Sequence, residues 1–295
     1  MSRLKEAMSA SAATVNAALG NYIPRSDDSD GRLFDAMRYS TLAGGKRLRP
    51  FLVLNSAALF DVPLDWALSS AAAIEMIHTY SLVHDDLPAM DDDDLRRGLP
   101  TCHKKFNDAT AILAGDALLT MAFETVAAPD SHPDAEVRAE LIHQLAIAAG
   151  AAGMAGGQMM DLAAEDSTLD LAAVTRLQRR KTGALFHFSC IAGAILAKRG
   201  GAERDALARY AEAIGLAFQI ADDLLDVEGS AADLGKAVQK DAAAGKATFV
   251  DLLGLEGARS RAAQLVEEAE TALEPFGVEA DLLREVARYI VARKN

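Results

Sequence analysis

Two long apolar stretches of this sequence each end in a cluster of aspartates. Ala67 to Asp86 closes on Asp85-Asp86, and Glu203 to Asp226 closes on Asp222-Asp223-Leu224-Leu225-Asp226. Neither stretch alternates apolar and polar residues, and both are far longer than an ordinary strand, so both read as helices. A fold that accepts them must bury two helix bodies while keeping their charged ends solvated or paired. No segment of convincing length shows the strand period elsewhere. Alanine and leucine dominate, aromatics are only 5% and 51% of residues are hydrophobic, which favours helix over sheet and supplies a sizeable core. The expectation is an all-α fold in a single domain, residues 1–295.

The first cluster is the denser one. Asp85, Asp86, Asp91, Asp92, Asp93 and Asp94 fall within ten residues, and Arg96 and Arg97 follow. Like charges so close repel unless something positive sits among them. Clustered oxygen donors suit Mg2+, which keeps several waters and is often shared with phosphates, and arginines suit the phosphate itself. A solvated acidic loop is the competing reading. Pro88 disfavours helix at Leu87. Asp85 and Asp91, six apart, would diverge by about 120° on a straight helix, and a break at Pro88 could bring them back together. His78 and Ser81 share the Asp85 face of the preceding helix. In the second cluster Asp222 and Asp226 are four apart, one above the other, an arrangement that a shared cation would relieve.

Basic groups recur beside these clusters. Lys46-Arg47-Leu48-Arg49-Pro50 follows Gly44-Gly45 and opens an apolar helix, which makes either an anion site or a solvated basic turn. Arg179-Arg180-Lys181-Thr182-Gly183 interrupts a long helical stretch from Leu171 to Ala197, and Lys236, Lys240 and Lys246 lie in a glycine-broken segment. Gly153 to Asp161 is rich in small residues and could allow close helix packing, with Gln158 and Asp161 on one face; its methionines read as core filler. The net charge of −13 argues against a nucleic-acid or anionic-membrane surface but does not exclude an anionic substrate. Cys102 and Cys190 imply no disulfide framework, and Cys102-His103 lacks a second pair to complete a zinc site. No signal-like core follows the charged first residues, and no uninterrupted apolar run reaches the roughly 18 residues of a membrane span, so a soluble, cytoplasmic protein is expected. Cations kept beside carboxylates in an acidic chain point to an anion handled through metal ions. Apolar helices around them point to a substrate with a phosphate head and a hydrocarbon tail.

On these residues the chain resembles the short-chain trans-prenyl diphosphate synthases, bacterial farnesyl diphosphate synthases in particular. The matching segments are Gly44 to Pro50, Asp85 to Asp91 with Arg96-Arg97, Gly157-Gln158-Met159-Met160-Asp161, Lys181-Thr182, and Asp222 to Asp226 preceded by Phe218-Gln219. The resemblance implies helices around a deep central cavity, a homodimer, and Mg2+, three ions with substrate bound. It implies metal binding by Asp85, Asp91 and Asp222, with Asp86 and Asp226 supporting. It implies that Arg96, Lys181, Thr182, Gln219 and Lys236 hold the allylic diphosphate, Arg96, Lys181 and Gln219 as the catalytic contacts, with Lys246 nearby. Lys46, Arg49, His78 and Arg97 would hold isopentenyl diphosphate. Tyr80 and Ser81 would set chain length. An ideal helical wheel places Ser81 near the Asp85 face and Tyr80 well away from it, so the role of Tyr80 rests on the resemblance.

The implied reaction condenses dimethylallyl or geranyl diphosphate with isopentenyl diphosphate to farnesyl diphosphate. Alternatives are a geranylgeranyl or geranyl diphosphate synthase and an inactive regulatory subunit, the last disfavoured by two intact aspartate motifs. A terpene cyclase would leave Lys46, Arg49, His78 and Arg97 without a purpose.

Overall fold

A computed structural model describes residues 2–164, 169–232 and 247–293. These residues are almost wholly helical, as the sequence led us to expect. They form two compact units, one of Ser2–His143 with Ile195–Lys198 and one of Gln144–Ala194 with the chain from Arg199 onward.

The first unit holds α1 (Ser2–Tyr22), α2 (Gly31–Leu42), α3 (Leu48–Ala58), α4 (Leu64–Asp85), a short α5 (Cys102–Lys105) and α6 (Asp108–Ala127). Helix α4 is its axis and packs on α3 and α6. Ala71, Ala72, Ala73, Ile74, Met76 and Ile77 of α4 are all fully buried, as befits a helix that is apolar all round. Each isoleucine or methionine so buried contributes roughly 1.5–3 kcal/mol. By length and composition α6 could cross a membrane. It carries Asp108, Asp116 and Glu124, however, and it lies along α4 as a core helix.

Among the described residues the strands are Leu95–Arg96 (β1) and Leu99–Pro100 (β2), an antiparallel pair that the sequence reading did not anticipate. The reason is the turn between them. Arg97 and Gly98 both have positive φ, 54° and 77°, the backbone demanded by the tight two-residue hairpin.

The second unit contains α8 (Met154–Ala164), α9 (Leu171–Gln178), α11 (Ala202–Ala232), α12 (Phe249–Ala272) and α13 (Asp281–Ala292). The unit boundaries fall within α7 (Ala135–Ala149) and α10 (Ala184–Leu196). Between α9 and α10, Arg179–Gly183 makes one turn of π-helix rather than α-helix. A capping box starts α12: Thr248 Oγ1 accepts from the Asp251 amide at 3.1 Å, and the Thr248 amide donates to Asp251 Oδ2 at 3.0 Å. The buried hydroxyl of Tyr210 donates to the Leu283 carbonyl at 2.8 Å and so ties α11 to α13. The sequence reading ended this long helix at Asp226, but α11 runs on to Ala232. Pro88 closely follows the first aspartate pair, whereas the next proline after the second motif is Pro275. The first motif therefore ends its helix and the second lies within one.

Candidate active site

In the first unit the basic turn is built around a buried arginine. Gly44 and Gly45 take φ of 88° and 137°, and Arg47 itself sits at a left-handed φ of 48°. Arg47 is only 3% exposed. Its Nε donates to Asn16 Oδ1 at 2.9 Å, its Nη2 to the Thr41 carbonyl at 2.5 Å, and its Nη1 pairs with the buried Glu75 of α4. Burying Arg47 leaves Lys46 exposed and Arg49 half-buried in the first turn of α3.

Arg97 comes to the same turn from the hairpin. Its Nη1 donates to the Gly44 carbonyl, and the guanidinium lies over Gly45, where a β-carbon would stand 2.8 Å from it. His78 lies one turn of α4 beyond Glu75. Burial, then the charges of Arg49, Arg97, Arg96 and Arg47, hold its pKa well below the usual histidine value. The imidazole is neutral at pH 7. Arg49, His78 and Arg97, three of the four residues expected to share one diphosphate, are thus brought together.

The acidic motif begins where α4 ends. After Pro88 the chain folds back, and the Asp91 amide donates to the Asp85 carbonyl at 2.8 Å, which returns Asp91 to Asp85 as a break at Pro88 would allow. Asp86 is buried and gripped by Arg96, whose Nε lies 2.7 Å and 3.0 Å from its two oxygens. Asp86 is therefore the counter-ion that aims Arg96. The remaining aspartates hold the hairpin. Thr101 donates its hydroxyl to the Asp93 carbonyl at 2.7 Å, and Asp94 pairs with Lys104 at 2.8 Å. Asp92, ahead of the hairpin, takes a left-handed φ of 47°, and its amide donates to the Leu87 carbonyl at 3.2 Å. Tyr80 and Ser81 are half-buried on α4. Ser81 donates back to the His78 carbonyl at 2.9 Å. Burial first and then Asp85 push the Tyr80 phenol pKa up, so the long side chain reaches the field of Asp85 despite its place on the wheel.

In the second unit α8 lies against the π turn. A β-carbon on Gly157 would stand 2.2 Å from the Lys181 backbone nitrogen, so glycine is required there. Lys181 Nζ then reaches Asp161 Oδ2 at 2.6 Å. Both amide atoms of neighbouring Gln158 are buried with no hydrogen-bond partner among the described residues. Thr182, Gln219 and Asp223 form a chain. The Thr182 hydroxyl meets Gln219 Oε1 at 3.4 Å, Gln219 Nε2 donates to Asp223 Oδ1 at 3.0 Å, and Asp223 Oδ2 accepts from the Phe249 amide at 2.8 Å. Asp223 is buried, while Asp222 is half-buried and Asp226 exposed. Lys236 and Lys246 lie outside the described residues.

These donors fit a divalent ion. They are carboxylate oxygens with access to solvent, and Asp222 already carries a cation, the Arg293 guanidinium, 2.6 Å from Oδ1. Among the described residues no three acidic, histidine or cysteine side chains form a closed cage. Solvent-accessible carboxylates suit Mg2+, which keeps several waters and is bound through one or two carboxylates plus substrate phosphates.

Residues 30–276 match the family model of polyprenyl synthetases. The chain belongs to the polyprenyl synthetase family. It is similar to the farnesyl diphosphate synthase of Escherichia coli (strain K12), 46% identical over 95% of this chain and 96% of that one. It is also similar to the geranylgeranyl diphosphate synthase of Cyanophora paradoxa, 42% identical over 95% and 93% of the two chains. Among solved structures, an apo FPP/GFPP synthase from Zymomonas mobilis superposes with a TM-score of 0.90 at 52% identity, covering 98% of this chain and 99% of that one.

Four supporting residues of this polyprenyl synthetase escaped the sequence reading. Arg47 was one of three cations in four residues, with nothing to mark it as the buried one. Glu75 was a single charge in an apolar helix, a pattern that does call for a partner. Asp223 was hidden in the second motif between the two aspartates that its spacing singles out, Asp222 and Asp226. Arg293 lies far along the sequence from the aspartate that it meets.

Proposed function

We propose that this polyprenyl synthetase is a Mg2+-dependent prenyltransferase. It condenses dimethylallyl and then geranyl diphosphate with isopentenyl diphosphate, giving farnesyl diphosphate and releasing diphosphate. The observation that carries this reading is the divergence of two consecutive arginines. Arg96 is fixed on Asp86 and Arg97 on the Gly44–Gly45 turn. Adjacent guanidiniums aimed at different anchors suit two separate diphosphates, which a condensation needs and a single-substrate enzyme does not.

Arg49, neutral His78 and Arg97, with exposed Lys46, hold isopentenyl diphosphate. Arg96, Lys181, Thr182 and Gln219 hold the allylic diphosphate, joined by Lys236 and Lys246. Asp85 and Asp91 hold Mg2+ at the first motif, and Asp222 with Asp226 at the second, for three ions in all. Bound Mg2+ neutralises the leaving diphosphate. Around that charge Lys181, oriented by Asp161, and Arg96, oriented by Asp86, are preorganised donors. The allylic C–O bond breaks, the isopentenyl double bond attacks the cation, and the departing diphosphate takes the proton, so no side-chain base is needed. Apolar walls keep out the water that would quench the cation.

The rest of the reading is a cytoplasmic homodimer forming one catalytic domain per chain. Exposed Ile112 and Leu113 on α6, 44% and 57% accessible, support the pairing of two copies. A second product reading, geranylgeranyl diphosphate, is favoured by the likeness to the Cyanophora relative. Supplying dimethylallyl and isopentenyl diphosphates with Mg2+ and identifying the product by chromatography tests the activity and the product length. A fifteen-carbon product is expected, a twenty-carbon product selects the second reading, and absence of condensation overturns both.

A further inference from the structure

Arg293 follows α13 and reaches back to α11. Its side chain is only 7% exposed, whereas that of its partner Asp222 is 41% exposed. Nη2 donates to Asp222 Oδ1 at 2.6 Å and to the Phe218 carbonyl at 3.1 Å, and Cζ lies 4.0 Å from the centroid of the Phe218 ring. The guanidinium is thus held by a carboxylate, a carbonyl and an aromatic face at once. Its Nε is buried with no hydrogen-bond partner among the described residues, so the head group is seated by one edge only. A surface arginine would be solvated and mobile. This one is stacked and desolvated, and only its carboxylate partner faces water.

Asp222 is the carboxylate that would hold a divalent ion at the second motif. A guanidinium seated on Asp222 and a metal ion on the same carboxylate repel each other and compete for its charge. Any free energy holding Arg293 on Asp222 must be overcome when the ion binds. The apparent metal affinity falls by the fraction of molecules in which the oxygen is already occupied.

We propose that Arg293 is a resident counter-ion that competes with Mg2+ for Asp222, setting the Mg2+ concentration at which the second motif loads. In the metal-free protein it neutralises Asp222 and keeps the carboxylate in place. When Mg2+ arrives with a diphosphate, the added negative charge offsets the loss of the pair, and the guanidinium leaves Oδ1. Loading of this motif therefore depends on metal and diphosphate together. The inference rests on the proposed metal role of Asp222.

The test is calorimetric titration of Mg2+ into the full chain with inorganic pyrophosphate present, which reads binding without turnover. Arg293→Gln is expected to lower the half-saturating Mg2+ about five-fold, the low end of measured couplings between linked sites. Arg293→Lys keeps a charge but loses the planar fork, and is expected to fall between Arg293→Gln and the unchanged protein. It also serves if the glutamine variant fails to fold. An unchanged or higher Mg2+ requirement in the folded variants overturns the competition. Asp222→Asn separates the two levels. If it weakens Mg2+ binding while Arg293→Gln does not strengthen it, only the role of Arg293 falls. If Asp222→Asn binds Mg2+ as well as the unchanged protein does, the metal role of Asp222 falls and the competition falls with it.

Discussion

Gly157 and the backbone of Lys181 are in such close contact that a β-carbon at 157 would lie 2.2 Å from the Lys181 nitrogen and 2.5 Å from its Cα. The obstacle is main chain, not the end of a flexible side chain, so it cannot swing aside. Gly157→Ala must push α8 off the π turn and lengthen the 2.6 Å contact between Asp161 and Lys181. Overpacking of this kind costs about 1–3 kcal/mol. Urea denaturation should show that loss, and turnover should fall by more than ten-fold because Lys181 loses its orienting partner. Wild-type turnover in Gly157→Ala would mean that Lys181 needs no such support.

The Arg47–Glu75 pair offers a cleaner separation of stability from function. Both side chains are nearly inaccessible, 1% and 4%. Removing one partner strands a buried charge, and Arg47→Met or Glu75→Leu alone should cost about 3–5 kcal/mol. The double variant leaves no stranded charge and should recover most of that loss. It should not recover the site, because the left-handed turn that places Lys46 and Arg49 is then unanchored. The expected signature is near-normal unfolding with a KM for isopentenyl diphosphate raised several-fold and a smaller change for the allylic substrate. Equal changes for both substrates would detach this turn from isopentenyl diphosphate.

The helices were legible because hydrophobic period and punctuation agree. Gly44-Gly45, Pro88 and the polar stretch before Gly31 stop or start elements where the sequence says they should. The near-absence of sheet was legible too, apart from a hairpin whose only mark is Gly98 after an arginine. The return of Asp91 to Asp85 was legible from their spacing around Pro88, and the Asp91 amide meets the Asp85 carbonyl. What could not be read was which members of a like-charged run turn inward. Arg47 is buried and Lys46 is not, and Asp86 and Asp223 are buried beside half-buried Asp85 and Asp222. That choice is made by partners distant in sequence, Glu75, Arg96 and the Phe249 amide. The π turn at Lys181 was likewise invisible, since an i+5 bond leaves no compositional trace.

The neutral state of His78 gives a pH dependence with a definite sign. In the unfolded chain the imidazole protonates near its ordinary value of 6.5, whereas burial and the surrounding arginines keep the folded value well below this. Below pH 6.5 the unfolded state binds the extra proton, so stability is fully present above that pH and is lost as pH falls toward the folded value. One proton gives a slope of at most about 1.4 kcal/mol per pH unit. His187 is shifted the same way by burial and Arg204, so the wild-type slope carries both. His78→Asn should flatten the stability profile between pH 6.5 and 5 by part of that slope. An unaltered profile would show that His78 titrates alike in both states.

Product length should be set by the α4 face leading to Asp85. The Tyr80 ring lies 5.8 Å from that of His84, edge to face, and its phenol is close enough to Asp85 for the carboxylate to raise its pKa. A bulky side chain held this near the Asp85 end of α4 limits the tail that can grow past it. Ser81 is smaller and spends its hydroxyl on the His78 carbonyl, which leaves Tyr80 as the main obstacle. Tyr80→Ala removes the ring and opens the path down α4. The expected outcome is a shift from fifteen carbons to twenty or more, read by chromatography of the dephosphorylated products, with turnover retained within a few-fold. Ser81→Phe should act in the opposite sense and favour shorter products. If neither variant moves the distribution, the stop lies on another helix.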